Sequence, residues 1–311
     1  MSPLLKSILS PQFVFAIIRV TTPLLFAAIG VAISALSGSI NIGLEGIMLV
    51  SAFFGVIISG FTGSLLLALI GGILVGIGMG ALLGYFHLKL KADIIIAAIA
   101  LNMFASGITV FFLYIFAHDK GTSSSITSLV FPSLQIPIIK EIPILGEIIS
   151  GHNVLTYFAL ISVALFYYLT YKTSLGLRIR AVGQNPDAAE SVGVNINRIK
   201  LYSLLLSGFF GSLGGLYLSM GYVSWFSRDM TAGRGFIAIA AAALGGNFPL
   251  GTFLGALFFG IVNAIAIYIS PLNIPSEFIH SLPYFVTVVA LAIYSIRLSR
   301  RKKILSEKEE I

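Results

Sequence analysis

Apolar runs of roughly 20 residues recur along this chain of 311 residues, and such a run spans a hydrocarbon core of about 30 Å as a helix. They give about nine hydrophobic segments: 12–36, 43–60, 64–88, 93–116, 154–171, 200–220, 235–246, 250–270 and 280–297. The segments do not alternate apolar and polar residues, which argues against a β-barrel. Only 10% of residues are charged, against about 25% in soluble domains. The expected fold is an all-α polytopic membrane protein, one domain over 1–311. Segment 235–246 is too short to cross as a helix and is expected to be re-entrant or broken, meeting its successor at Gly245-Gly246-Asn247-Phe248-Pro249.

The net charge of +7 is a matter of topology and not a nucleic-acid footprint, because Lys and Arg cluster beside the spans. If every span crosses, 89–93, the 172–199 loop and the 298–311 tail share one side, which with Lys200 and Arg297 holds 13 of the 19 basic residues. Excess Lys and Arg mark the cytoplasmic face, so the C-terminus is expected inside and, with nine spans, the N-terminus outside. Residues 117–153 then form the one long external connection, with three prolines and a GTSSS stretch.

Polar residues in apolar surroundings need a reason. Glu45, in NIGLEG with Asn41, is either an interfacial carboxylate near the cytoplasmic end of its span or part of a translocation path or gate. Asn102, mid-span, either hydrogen-bonds a neighbouring helix or faces a polar solute. Asn247 at the Gly-Gly tip is placed to satisfy backbone freed by a broken helix. Asn41, Glu45, Asn102 and Asn247 are expected to converge near the middle of the protein. Outside, Trp225 reads as an interfacial aromatic, and Arg228 and Arg234 could meet an acidic patch on an external partner.

Chemical motifs are missing. There is no P-loop, no HExxH or other metal-ligand spacing among the four histidines, no G-x-S-x-G and no cysteine. The chain reads as a pathway without its own motor, with no catalytic residue, metal or cofactor of its own.

One stretch breaks the apolar pattern. In QNPDAAESVGVNINRIK, Asn185 suits an N-cap, Pro186 the first helical position, Asp187 and Glu190 the positive helix start, and Gly193 a left-handed stop. A helix of about eight residues is expected, with Ala188, Ala189 and Val192 on one apolar face. So short a helix needs something to pack on, either its own membrane domain or a cytoplasmic protein.

These segments carry a resemblance. LGLRIRAVGQNPDAAESVGVNINRIK is similar to the coupling-helix loop of permease subunits of ATP-binding-cassette (ABC) importers, in the family serving ribose-type sugars, branched-chain amino acids and nucleosides. SGSINIGLEGIMLVSAFFG, ALNMFASGITVFFL and GRGFIAIAAAALGGNFPLGTFLGALFFG resemble its nucleoside branch. The resemblance implies a multi-pass cell-membrane permease that docks through residues 186–193 on an ATPase subunit, which uses the ATP. It also implies a second permease subunit and an extracytoplasmic solute-binding protein, commonly a lipoprotein. A ribose-type sugar importer is the near alternative. A self-contained secondary transporter is the distant one, with Glu45 its sole convincing ion ligand.

Overall fold

The computed structural model describes residues 10–137, 142, 144–270, 281, 283–290 and 292. Eleven α-helices are named here in chain order: α1 Pro11–Leu36, α2 Leu44–Thr62, α3 Leu65–Gly84, α4 Ile94–Ala117, α5 Leu145–Ile149, α6 Val154–Lys172, α7 Ser174–Gln184, α8 Pro186–Ser191, α9 Ile196–Met220, α10 Arg234–Leu244 and α11 Pro249–Ile269. A single π-helical turn, Tyr85–Lys89, extends α3. Among the described residues, seven helices are long and apolar enough to cross a membrane, and α10 is the shorter apolar one. Of the expected span 280–297, residues 281, 283–290 and 292 are described; the tail 298–311 lies outside the described residues.

Short polar side chains start the helices by accepting otherwise unpaired backbone N–H groups. Ser10, Asp93, Asn153, Thr173, Asn185 and Asn195 cap α1, α4, α6, α7, α8 and α9. α9 runs through the centre, packed on α1, α2 and α3. One end of the bundle carries α7 and α8 and is called the basic end; the opposite end carries 118–153.

Small residues let the backbones meet. α3 descends antiparallel to α9, with Gly72 facing Leu216, Gly76 facing Ser212, and Gly80 facing Leu204 and Gly208. Without side chains between them the helices gain close van der Waals contact, the main attraction available between helices in lipid. A side-chain Cβ at Gly80 would lie 2.6 Å from the Leu204 carbonyl oxygen.

Pro23 lies inside α1 and has no N–H to give the Arg19 carbonyl one turn back. The Tyr217 hydroxyl of α9 donates to that oxygen at 3.2 Å, and Tyr217 also meets Thr156 at 3.2 Å. Segment 118–153 caps the opposite end. Asn153 donates to the carbonyls of Phe131 and Gly221, and Ser59 of α2 accepts the Leu129 N–H. Buried His152 stacks on Phe15 of α1 with ring centroids 3.8 Å apart.

Two predictions follow from this packing. Gly80→Leu should abolish accumulation of folded protein, whereas Gly78→Leu, whose Cβ meets nothing within 4 Å, should be tolerated; detergent-extracted monodispersity distinguishes them. Burial holds the His152 imidazole below its usual range. The unfolded chain therefore binds the extra proton first, and stability present above the unfolded value of about 6.5 is lost as pH falls through it. Melting followed from pH 7.5 to 5 should show a drop in the wild type that His152→Phe removes.

Candidate functional site

The chain interrupts its helices inside the bundle between α1 and α2. Residues Ser37–Gly43 turn there, with Gly38 at φ 78°, a left-handed conformation easy only for glycine. Backbone groups freed by the turn are met by short side chains. The Ser34 hydroxyl accepts the Asn41 N–H at 3.1 Å, and the Asn41 side-chain oxygen accepts the Gly43 N–H at 2.9 Å. The Asn41 amide donates to Ser207 of α9 at 2.9 Å, and Ser203 donates to Ser37 at 2.7 Å. From α4, the Asn102 oxygen accepts the Gly46 N–H at 2.8 Å and its amide donates to the Ile42 carbonyl at 3.1 Å.

Glu45 sits in the first turn of α2, facing the start of α10. Its two carboxylate oxygens accept the N–H groups of Gly233 and Gly235, each at 2.7 Å. The carboxylate thus lies between two helix N-termini, both of which favour an anion. The backbone bringing α10 there is strained at Asp229 and Ala232, with φ of 52° and 45°, while Gly233 takes φ 72° without that cost. The Tyr284 hydroxyl donates to the Ala232 carbonyl at 2.6 Å and pins this turn.

Three of the four expected central residues therefore converge, at the α1–α2 break. Asn247 does not. It lies beyond the C-terminus of α10, 12 residues from Gly235, about 18 Å along a helix. There it adopts φ 57°, its N–H bonds the Ala242 carbonyl, and Phe248 beside it packs on Tyr171 at the basic end. α10 starts in the bundle and ends at its face, so its tip cannot reach Glu45.

Arg234 is the second correction. Its guanidinium donates to the carbonyls of Met230 and Thr231, both at 3.1 Å, and so serves its own helix start instead of presenting a charge outward. Arg228 is exposed and paired with Asp229 at 3.3 Å, and Trp225 is half exposed. Sequence reading missed Ser207, Gly233, Gly235, Ser106 and Tyr284. The Ala-Gly-Arg-Gly run at 232–235 was the available signal for backbone amides aimed at an anion.

The loop helix forms where expected, with Asn185 accepting the Ala188 N–H at 3.0 Å and Gly193 at φ 83°, but it has six residues, not eight. Its expected apolar face is split. Ala189 is 4% exposed and packs with Ile179, Val182 and Ile199, whereas Val192 is 78% exposed. Helical geometry ends at Ser191, so Val192 leaves the register that would have set it beside Ala189.

Comparison with known proteins agrees with this architecture. Residues 13–294 match the family described as branched-chain amino acid transport system / permease component. The nucleoside ABC transporter permease protein NupC of Lactococcus lactis subsp. cremoris is 34% identical over 88% of this chain and 89% of its own. The guanosine ABC transporter permease protein NupQ of Bacillus subtilis is 33% identical over 86% of this chain and 87% of its own. Among solved structures, PsaBC from Streptococcus pneumoniae superposes with TM-score 0.51 at 13% identity, over 89% of both chains, a likeness of fold alone. The chain belongs to this family of permease components, and the expectation of an ABC importer permease subunit stands.

The geometry makes Asn102 and Glu45 holders of the break. Asn102→Ala orphans the Gly46 N–H and the Ile42 carbonyl and should cost about 1–3 kcal/mol. Glu45→Gln turns an amide NH₂ toward a backbone N–H and should cost at least as much. Thermal melting of the purified variants checks both, and wild-type melting would show that the break is held some other way.

Proposed function

We propose that this chain forms one half of the membrane path of an ATP-driven importer of nucleosides, and that α8 is its docking element for a separate ATPase subunit. The nucleoside reading is supported by two relatives above 30% identity that are nucleoside and guanosine permeases. The second half is a like or sibling permease chain, and solute arrives from an extracytoplasmic binding protein, a lipoprotein. The basic end, with α7 and α8, faces the cytoplasm, as the positive residues of 172–200 favour.

The observation that carries the docking role is the split of α8. Ala189 anchors it to the chain's own core, leaving Pro186, Asp187, Ala188, Glu190, Val192 and Gly193 exposed. An exposed Val beside two acids at the tip of a loop suits a groove with apolar and basic lining. A secondary transporter is disfavoured, because both oxygens of Glu45 are already held by backbone amides.

Val192→Glu and Ala188→Glu should leave melting and membrane level unchanged, yet lose the ATPase on co-purification and lower uptake about tenfold or more. Ala189→Glu should instead destabilise the chain itself, because it puts a carboxylate into a buried cluster. Wild-type uptake by Val192→Glu with its ATPase bound would sink the docking role. Sugar in place of nucleoside as the solute moved by the wild type would redirect the substrate claim; a protein proposed as a glucose ABC transporter permease, TsgC13 of Haloferax volcanii, is 30% identical over 80% of this chain and 75% of its own.

A further inference from the structure

Glu45 and Asn102 bond the backbone at 2.7–3.1 Å and hold the α1–α2 break. Among the described contacts, the Asp229 carboxylate meets side chains only, at a longer 3.3 Å. We propose that Asp229, held beside Ser106 and Arg228, is a solute-contact point halfway along the path, where its carboxylate accepts hydrogen bonds from the hydroxyl groups of a neutral polyhydroxylated solute. The inference rests on reading this chain as the path for such a solute.

Depth is the first argument. Ser106 is residue 13 of the 24 in α4, about 18 Å from the helix start. Its hydroxyl donates to one Asp229 oxygen at 3.3 Å, so the carboxylate lies beside the middle of α4, at the inner edge of the external connection, whose Gly121 carbonyl accepts the Arg228 N–H at 2.8 Å. Arg228 and Asp229 are nonetheless 60% and 58% exposed. Two ionised side chains so exposed on the single chain at that depth face water or the second permease half, and not hydrocarbon.

Unfilled capacity is the second. The described partners of the carboxylate are Ser106 and the neighbouring Arg228 Nε, both at a long 3.3 Å. A carboxylate has about four lone-pair positions, so two adjacent hydroxyls can be received together. The left-handed backbone at Asp229 is strained and holds the group against α4. The same segment, at Ala232 and Arg234, lines a cavity of about 320 Å³, although Asp229 itself does not line it. Arg228 keeps the pair near neutral, which suits an uncharged solute over an ion.

The chain has no cysteine, so one introduced thiol reports unambiguously. In the complete transporter, reconstituted with its partner subunits, Ser106→Cys should react with a charged, impermeant thiol reagent, more slowly in the presence of a nucleoside. Gly78→Cys, on the exposed apolar face of α3 with Leu67 and Leu74, should react with a lipid-soluble maleimide only. Asp229→Asn should lower ribonucleoside uptake about tenfold with the ATPase still bound, and lower it less for the 2′-deoxynucleoside. Asp229→Glu should recover part of the loss. A Ser106→Cys protein inert to the charged reagent, or wild-type ribonucleoside uptake by Asp229→Asn, would overturn the proposal. A wild type that moves no nucleoside while Ser106→Cys reacts would refute the nucleoside reading and still support a hydrated face.

Discussion

The Glu45 carboxylate, 2.7 Å from two backbone amides at once, is the interaction that fixes the interior. α10 begins inside the bundle, so its first N–H groups have neither an intrahelical partner nor reliable water. A half-buried anion has the complementary problem, since it is costly unless donors meet it. Each solves the other's difficulty, and the solution is directional: two amides two residues apart meet two oxygens of one side chain. α2 and α10, nearly 190 residues apart in the chain, are thereby set in one register.

Around that contact, the two asparagines do what short amides do well. Asn41 and Asn102 each offer an acceptor to a backbone N–H and a donor elsewhere, and so pair the Gly43 and Gly46 N–H groups and the Ile42 carbonyl at the turn. Every one of these bonds joins side chain to backbone or to a serine hydroxyl. The break is therefore a built feature of the fold, held largely by its own side chains, although the buried Ser39 hydroxyl within it has no partner among the described residues. Its polar residues look like a binding site in the sequence because binding and broken helices call for the same side chains.

Much was legible from local rules and the rest depended on tertiary partners. The long helices, the Asn185 cap and the Gly193 stop follow from apolar run length and capping chemistry, which act within a few residues. The inward turn of Ala189 does not, since it depends on how α7 presents Ile179 and Val182. Asn247 was expected centrally because a glycine-rich tip suggests the bottom of a re-entrant loop; α10 in fact starts centrally and carries its tip out to Tyr171. The Tyr217 hydroxyl meets the Arg19 carbonyl that Pro23 leaves free, across 198 positions, a pairing that no spacing rule expresses.

The same contacts relate the loop helix to the interior. Ala189 shares a cluster with Ile179 and Val182 of α7, against which Leu36 at the end of α1 is packed. Gly183 approaches the Leu36 carbonyl and the Gly38 N–H so closely that a Cβ has no room. From Gly38 the chain enters the break that Asn41 and Asn102 hold and reaches Glu45 seven residues on. A movement of α8 that preserves its small core must carry α7, and α7 has no room to move closer to Leu36–Gly38. The next element in line is the carboxylate that positions α10. The links are backbone contacts and hydrogen bonds near 3 Å, not long flexible side chains.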